Sequence, residues 1–335
     1  MLHLPETARH IINDVLMAFF FLLAGMEIKR ELVAGELSSL KKGALPVIAA
    51  IGGMVVPAGI YSLFCHGTPF SNGWGIPMAT DIAFSLGILS LLGKRAPLSV
   101  RVLLMALAII DDLGGIVTIA TFYAEKINPV YLGLSLLTLL VLVTMNFLSV
   151  RKNYAYMLVG MLLWYFVYNS GIHATVAGVL LAFCIPMGNI NKVIHACHDP
   201  VSFIVLPLFA LANTAIAMPL NSSILSAALP YGILFGLVLG KPLGIFSFSY
   251  LAMKLKVGAL PAHMNRKHLL GMSMIAGIGF TISIFMATLA FPDGAVQSMA
   301  KIAVIAASLI SGLVGYTYLR LVNKGIKKAA GTANR

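Results

Sequence analysis

The chain has 335 residues, 59% hydrophobic and only 10% charged, with a formal net charge of +12 and a mean hydropathy of +0.95. A soluble domain carries about 25% charged residues, so the composition excludes one and points to an all-α polytopic membrane protein. The basic excess is scattered through short loops instead of gathered on one polar face. Membrane topology explains that pattern better than nucleic acid does, and no nucleic-acid partner is expected. Cys65, Cys184 and Cys197 form no paired spacing, so neither a disulfide nor a resident metal site is expected. The opening MLHLPETARH lacks the basic-then-apolar order and the small-residue cleavage site of a signal peptide.

Hydropathy and punctuation together predict eleven spans. They run near 12–28, 45–64, 73–92, 100–122, 129–149, 154–168, 172–187, 200–217, 228–252, 269–290 and 297–319. Asp14 and Glu27 fall near the two ends of the first, where interfacial water solvates them. The third reads WGIPMATDIAFSLG. Pro77 removes a backbone donor and biases Ile76 away from helix, and Thr80 and Asp81 follow. A span broken at its middle leaves N–H groups on one half and carbonyls on the other. Asp81 and Thr80 are suited to the N–H groups, the carboxylate offsetting the positive end of the half-helix. A proline kink with a capping Thr-Asp and no ligand role remains an equal reading.

The fourth span carries the strongest signal, LLMALAIIDDLGGIVTIA. An Asp at a helix centre costs roughly 2.5–3.5 kcal/mol on the insertion scale, so the adjacent Asp111 and Asp112 need a compensating reason. Successive helix positions point about 100° apart, so one acid faces a cavity while the other faces a neighbouring helix. Apolar residues flank the pair for two turns or more, which argues against a loop. The sixth span is short for a bilayer, suggesting an interrupted or buried helix. His173 in SGIHATVAG reads as a hydrogen-bonding residue at a span end. His195 and His198, in IHACHD, read as a solvated cytoplasmic loop with Asp199. Without a second ligand cluster their spacing is not a metal site; a pH-responsive role is chemically open to them.

Lys241, in VLGKPLGIF, is the one basic residue predicted near mid-bilayer. An ammonium at that depth needs a carboxylate to stay charged, and Asp111 or Asp112 is the candidate; spacing does not choose between them. The tenth span, MIAGIGFTISIF, is interrupted by Gly277 and Gly279, with Thr281 following. Two interrupted spans, each central to a three-span group (45–122 and 228–319), suggest inverted repeats whose broken helices cross at the midplane. No polar loop is long enough for a separate domain, so residues 1–335 read as a single membrane transport domain.

Orientation follows from the basic residues. With the loop after the first span inside, only Arg9 and Lys126 of the 23 lysines and arginines lie outside, and Lys241 and Lys301 fall within spans. The expectation is an external N-terminus and a cytoplasmic C-terminus.

The stretches NDVLMAFFFLLAGMEIKREL, PVIAAIGGMVVPA, ATDIAFSLGILSLLG, LLMALAIIDDLGG, GIHATVAGV, LPLFALAN, LGKPLGI and GIGFTISIF occur in family order and cover nearly the whole chain. On them the chain resembles NhaA-type sodium/proton antiporters, a family that is itself a known example of inverted repeats. The resemblance implies that Asp112 is the main cation ligand and proton carrier. Asp111 would be its neighbour, paired to Lys241 in one state. Thr80 and Asp81 would balance the positive ends of the crossed half-helices, and His198 and Glu27 would fall in the pH-responsive region. It also implies a bacterial inner-membrane location, lipid contact, and sodium, lithium and protons as transported ions, with no cofactor. The family's span and external segment before NDVLM are absent here, which leads us to expect a weakened homodimer.

The function expected is exchange of sodium, and of lithium, for protons in pH and sodium homeostasis. The alternative is a sodium-coupled solute symporter. An intramembrane aspartyl protease also uses two acids, but on facing helices, which an adjacent pair beside a lysine does not suit.

Overall fold

The structure is a computed structural model that describes residues 7–93, 96–124, 126–150, 152–215, 227–292 and 294–333. Lys94, Arg95 and Arg151, which the orientation argument places on the inside, lie outside these residues, as do the side chains of residues 40–42 and 323–333. The described residues form helices and turns without a strand. Among the described residues, seven helices are long and apolar enough to cross a membrane, and a bent pair makes an eighth, broken one. The chain is a multi-pass membrane protein.

Two compact units divide it, one of residues 1–35 and 116–216, the other of residues 36–115 and 217–335. In the first unit, α1 (Ala8–Ala34) leads the chain. It is followed by the C-terminal part of α4 (Leu98–Phe122), then α5 (Pro129–Phe147), α6 (Asn153–Ser170), α7 (Thr175–Cys184) and α8 (Met187–Thr214). Leu22 and Met26 of α1 pack with Tyr156, Leu163, Ala182 and Ile194 into a continuous apolar core. Lys29 donates to the carbonyls of Phe183 and Ile185 at 2.8 and 2.6 Å, closing the C-terminus of the short α7 with a cation. His173, just before α7, bonds Thr175 at 3.0 Å and stands 3.5 Å from Asp14.

One expectation is corrected in this unit. The IHACHD stretch is helical, within Met187–Pro200, not a loop. Ile190, Val193 and Ile194 are buried at helical spacing among polar residues, so an apolar stripe extends the helix beyond its hydrophobic run.

The second unit holds α2 (Leu40–Cys65) and a 3-10 stretch (Ser71–Met78), then α3 (Ile82–Ser90) and most of α4 (Leu98–Phe122). From the chain's other half come α9 (Ala228–Lys254), α10 (Arg266–Ile275), α11 (Phe280–Ala290) and α12 (Ala295–Ala333). Most of both predicted three-span groups therefore falls in one unit. Leu45, Leu104, Leu107, Ile245, Met272 and Ile275 are among its core residues. Here α2 and α9 approach closely. A Cβ on Gly52 would collide with the Gly244 carbonyl, and one on Gly244 with the Gly52 carbonyl. Small residues allow such a contact in a membrane, where dispersion replaces the hydrophobic effect as the driving force.

Both interrupted spans are broken in the structure. Ser71–Met78, a 3-10 stretch containing Pro77, gives way to extended backbone at Ala79 before α3 begins. α10 and α11 meet at a bend of 47°. Asn265 and His268 form a capping box that starts α10.

Candidate ion-binding site

Breaking two spans creates orphan donors and acceptors, and the second unit satisfies them with each other. Asp81 is the N-cap of α3, its Oδ1 accepting from the Phe84 N–H at 3.1 Å. Its Oδ2 accepts from the Thr281 N–H at 2.9 Å and from the Thr281 hydroxyl. One carboxylate therefore serves the N-terminal ends of α3 and α11 together, where the peptide dipoles favour negative charge. Carbonyls at the break are served from the opposite span. The Asp81 N–H donates to the Ile278 carbonyl at 2.7 Å, and the Ser85 hydroxyl to that of Ile275 at 3.3 Å. Ser283 donates to the Ile76 carbonyl at 2.7 Å, and the Gly279 N–H donates to Ser308 at 3.3 Å.

Beside this crossing lies a buried charge cluster. Lys241 of α9 forms an ion pair with Oδ2 of Asp111 on α4. Its ammonium also donates to the Thr80 hydroxyl at 2.6 Å. The Thr80 oxygen is 2.7 Å from Asp111 Oδ2 and 2.9 Å from the Ala276 carbonyl. A hydroxyl has one proton to give, so Thr80 donates to the carboxylate or to the carbonyl in turn. Asp111 and Lys241 are fully buried and Asp112 is 3% exposed. Asp112 lies within electrostatic reach of Lys241.

Two carboxylates, one ammonium and a hydroxyl are buried together here, so the net charge of the cluster depends on the protonation of its acids. Desolvated charge is costly unless paired. Among the described residues no group of three or more His, Cys, Asp or Glu side chains is placed to hold a metal ion.

Comparison with known proteins gives the context. The Na+/H+ antiporter 1 family pattern matches residues 2–319. A relative from Flavobacterium johnsoniae, "Na(+)/H(+) antiporter NhaA 1", is 49% identical over 320 residues, covering 93% of this chain and 84% of that protein. One of the same name from Clostridium beijerinckii is 48% identical, covering 93% and 81%. "Na(+)/H(+) antiporter NhaA" of Citrobacter koseri is 47% identical, covering 92% and 82%.

The chain belongs to this antiporter family.

Its members are transporters. Of the residues singled out from the sequence, Thr80, Asp81, Asp111, Asp112 and Lys241 all fall in the second unit. Hydrogen bonds or charge join Thr80, Asp111, Asp112 and Lys241, and Thr80 and Asp81 both bond to the break between α10 and α11. Glu27 and His198 belong to the first unit, where they interact electrostatically. Sequence reasoning passed over Ser85, Ser283 and Ser308. Their signal was a lone serine in or beside a broken span, where a hydroxyl is the cheapest donor or acceptor for freed backbone groups.

Proposed function

We propose that this protein exchanges sodium for protons across the bacterial inner membrane, through Asp111, Asp112, Thr80 and Lys241. The observation that carries this reading is the wholly buried Lys241–Asp111 pair with Asp112 next to it. Protons and a dehydrated cation neutralise the same carboxylates and so exclude each other. Asp112 is the cation ligand and proton carrier. Asp111 joins it when Lys241 lets go, and the Lys241–Asp111 pair re-forms when the cation leaves. If the bundle changes the side to which the site opens only when the acids are neutralised, the two fluxes are coupled. Asp81 and Thr80 hold the crossed half-helices, so that carbonyls and hydroxyls near the site keep their places.

The finer parts of the reading go together. The groups at 45–122 and 228–319 are inverted repeats within one transport domain, the N-terminus lies outside and the C-terminus inside. Lithium is a second cation, Glu27 and His198 take part in the pH response, and the protein contacts lipid and forms a homodimer. The relatives carry the antiporter name, which does not favour the symporter alternative. Proteoliposomes holding a pH dye and no organic solute test the exchange. Sodium added outside should move protons across the membrane without any solute. A strict requirement for a co-transported organic solute would replace the antiporter with a symporter.

A further inference from the structure

Lys241 sits where it does because of an irregularity immediately before it. α9 is not a uniform α-helix: Gly236–Gly240 is a π turn, and the Lys241 N–H bonds the Gly236 carbonyl, five residues back. Pro242 follows at the start of the next regular segment. A proline has no N–H and its ring collides with the carbonyl four residues earlier, here Val238. A π turn is a single-turn widening that relieves such a conflict, and such turns are frequent at functional sites.

The wide turn has two visible consequences. It adds one residue to the helix, and one residue is about 100° of rotation, enough to decide whether position 241 faces α4 or turns away. It also diverts the Lys241 N–H from the Leu237 carbonyl, and the residue five positions on from Leu237 is Pro242, which has no N–H to offer. That carbonyl lies against Gly277 at the break of the tenth span, 2.6 Å from where a Cβ would stand. The turn is gripped from the other side. Gly236 lies against Pro77 and the Pro57 carbonyl, and Gly240 against the Pro57 backbone.

We propose that Pro242 is a positioning residue for Lys241: by imposing the π turn Gly236–Gly240 it sets the ammonium on Asp111 and lays the Leu237 carbonyl on the Gly277 break. The inference rests on Lys241 taking part in exchange. The turn that orients the lysine thus also touches the broken helix, so the Lys241–Asp111 pair and the α10–α11 break are linked through it. The charged and titratable groups facing Lys241 are Asp111 and Asp112, with the Thr80 hydroxyl.

The test is a double-mutant cycle in the full chain, reconstituted in proteoliposomes, reading the pH profile and the sodium KM of exchange. Pro242→Ala restores an N–H and lets the turn tighten. It should shift the pH profile and KM in the same direction as Lys241→Ala, and add nothing further in a Lys241→Ala background. A wild-type profile for Pro242→Ala, or shifts that add in the double variant, would overturn the proposal. Should Pro242→Ala fail to insert, Pro242→Gly gives the same reading. Failure of both to insert while Lys241→Ala inserts would assign the proline to folding alone and also overturn it. A wild-type profile for Lys241→Ala itself would sink the proposed role of the lysine, and this inference with it.

Discussion

Asp81 and Thr281 stand 200 residues apart in the chain, yet Thr281 donates both its backbone N–H and its hydroxyl to one oxygen of Asp81. The same carboxylate caps α3 through its other oxygen. Two half-helices from distant parts of the sequence thus share a single carboxyl group, and the break in each span is stabilised by the break in the other.

Thr281→Val keeps the side-chain shape and removes only the hydroxyl. Leaving a buried polar group without one of its partners costs about 1–3 kcal/mol, so thermal stability in detergent should fall, with Thr281→Ser close to the parent. The Thr281 N–H still reaches Asp81, so the variant should insert. A Val variant as stable as the parent would show that the hydroxyl contributes nothing to holding the crossing.

Asp112→Asn should abolish sodium-driven proton movement without preventing insertion. The amide keeps the shape but carries neither charge nor an exchangeable carboxyl proton. Proton flux in everted vesicles on adding sodium or lithium is the measurement. Parent-like exchange at equal expression would remove Asp112 from the transport cycle.

Lys241→Ala leaves Asp111 buried without its cation partner. Breaking a buried pair from one side costs about 3–5 kcal/mol, so the detergent melting temperature should drop clearly. Protons also bind more tightly to carboxylates that have lost a neighbouring ammonium, so the activity profile should move to higher pH. Lys241→Arg should keep more of both properties. An Ala variant with the parent's stability and profile would show the pair to be incidental.

How much of this was legible in the sequence differs from residue to residue. Pro77, Gly277 and Gly279 are local breakers, and their effect on a helix needs no knowledge of the fold. Asp111 and Asp112 stood out because charge in an apolar run is costly wherever the helix packs. Which acid faces Lys241 was beyond the reach of spacing, and only the family resemblance pointed to Asp111. That choice depends on how α4 is turned toward Lys241, and the facing of Lys241 itself follows a helix that contains a π turn at Gly236–Gly240, where a periodicity of 3.6 does not register one inserted residue. Ser85, Ser283 and Ser308 were equally hidden, since their role depends on carbonyls and N–H groups brought from distant segments. The IHACHD stretch misled for the opposite reason: its polar residues masked a helical apolar stripe.

The last prediction concerns competition itself. If sodium and protons neutralise the same acids, lowering the pH should act as adding a competitor. Below the titration of the shared site, the sodium KM should rise about tenfold per pH unit for one displaced proton and about a hundredfold for two. The sign is fixed by which species occupies the carboxylates: protons at acid pH, sodium as the pH rises. Raising sodium should therefore restore exchange at acid pH and extend the profile downward. Initial rates from proteoliposomes over a matrix of pH and sodium concentration would read this directly. A sodium KM that stays constant while the maximal rate falls would mean that acid closes a gate elsewhere, such as the region of Glu27 and His198. The slope of log KM against pH, taken in the acid limb, would then be zero instead of the value set by the number of protons exchanged.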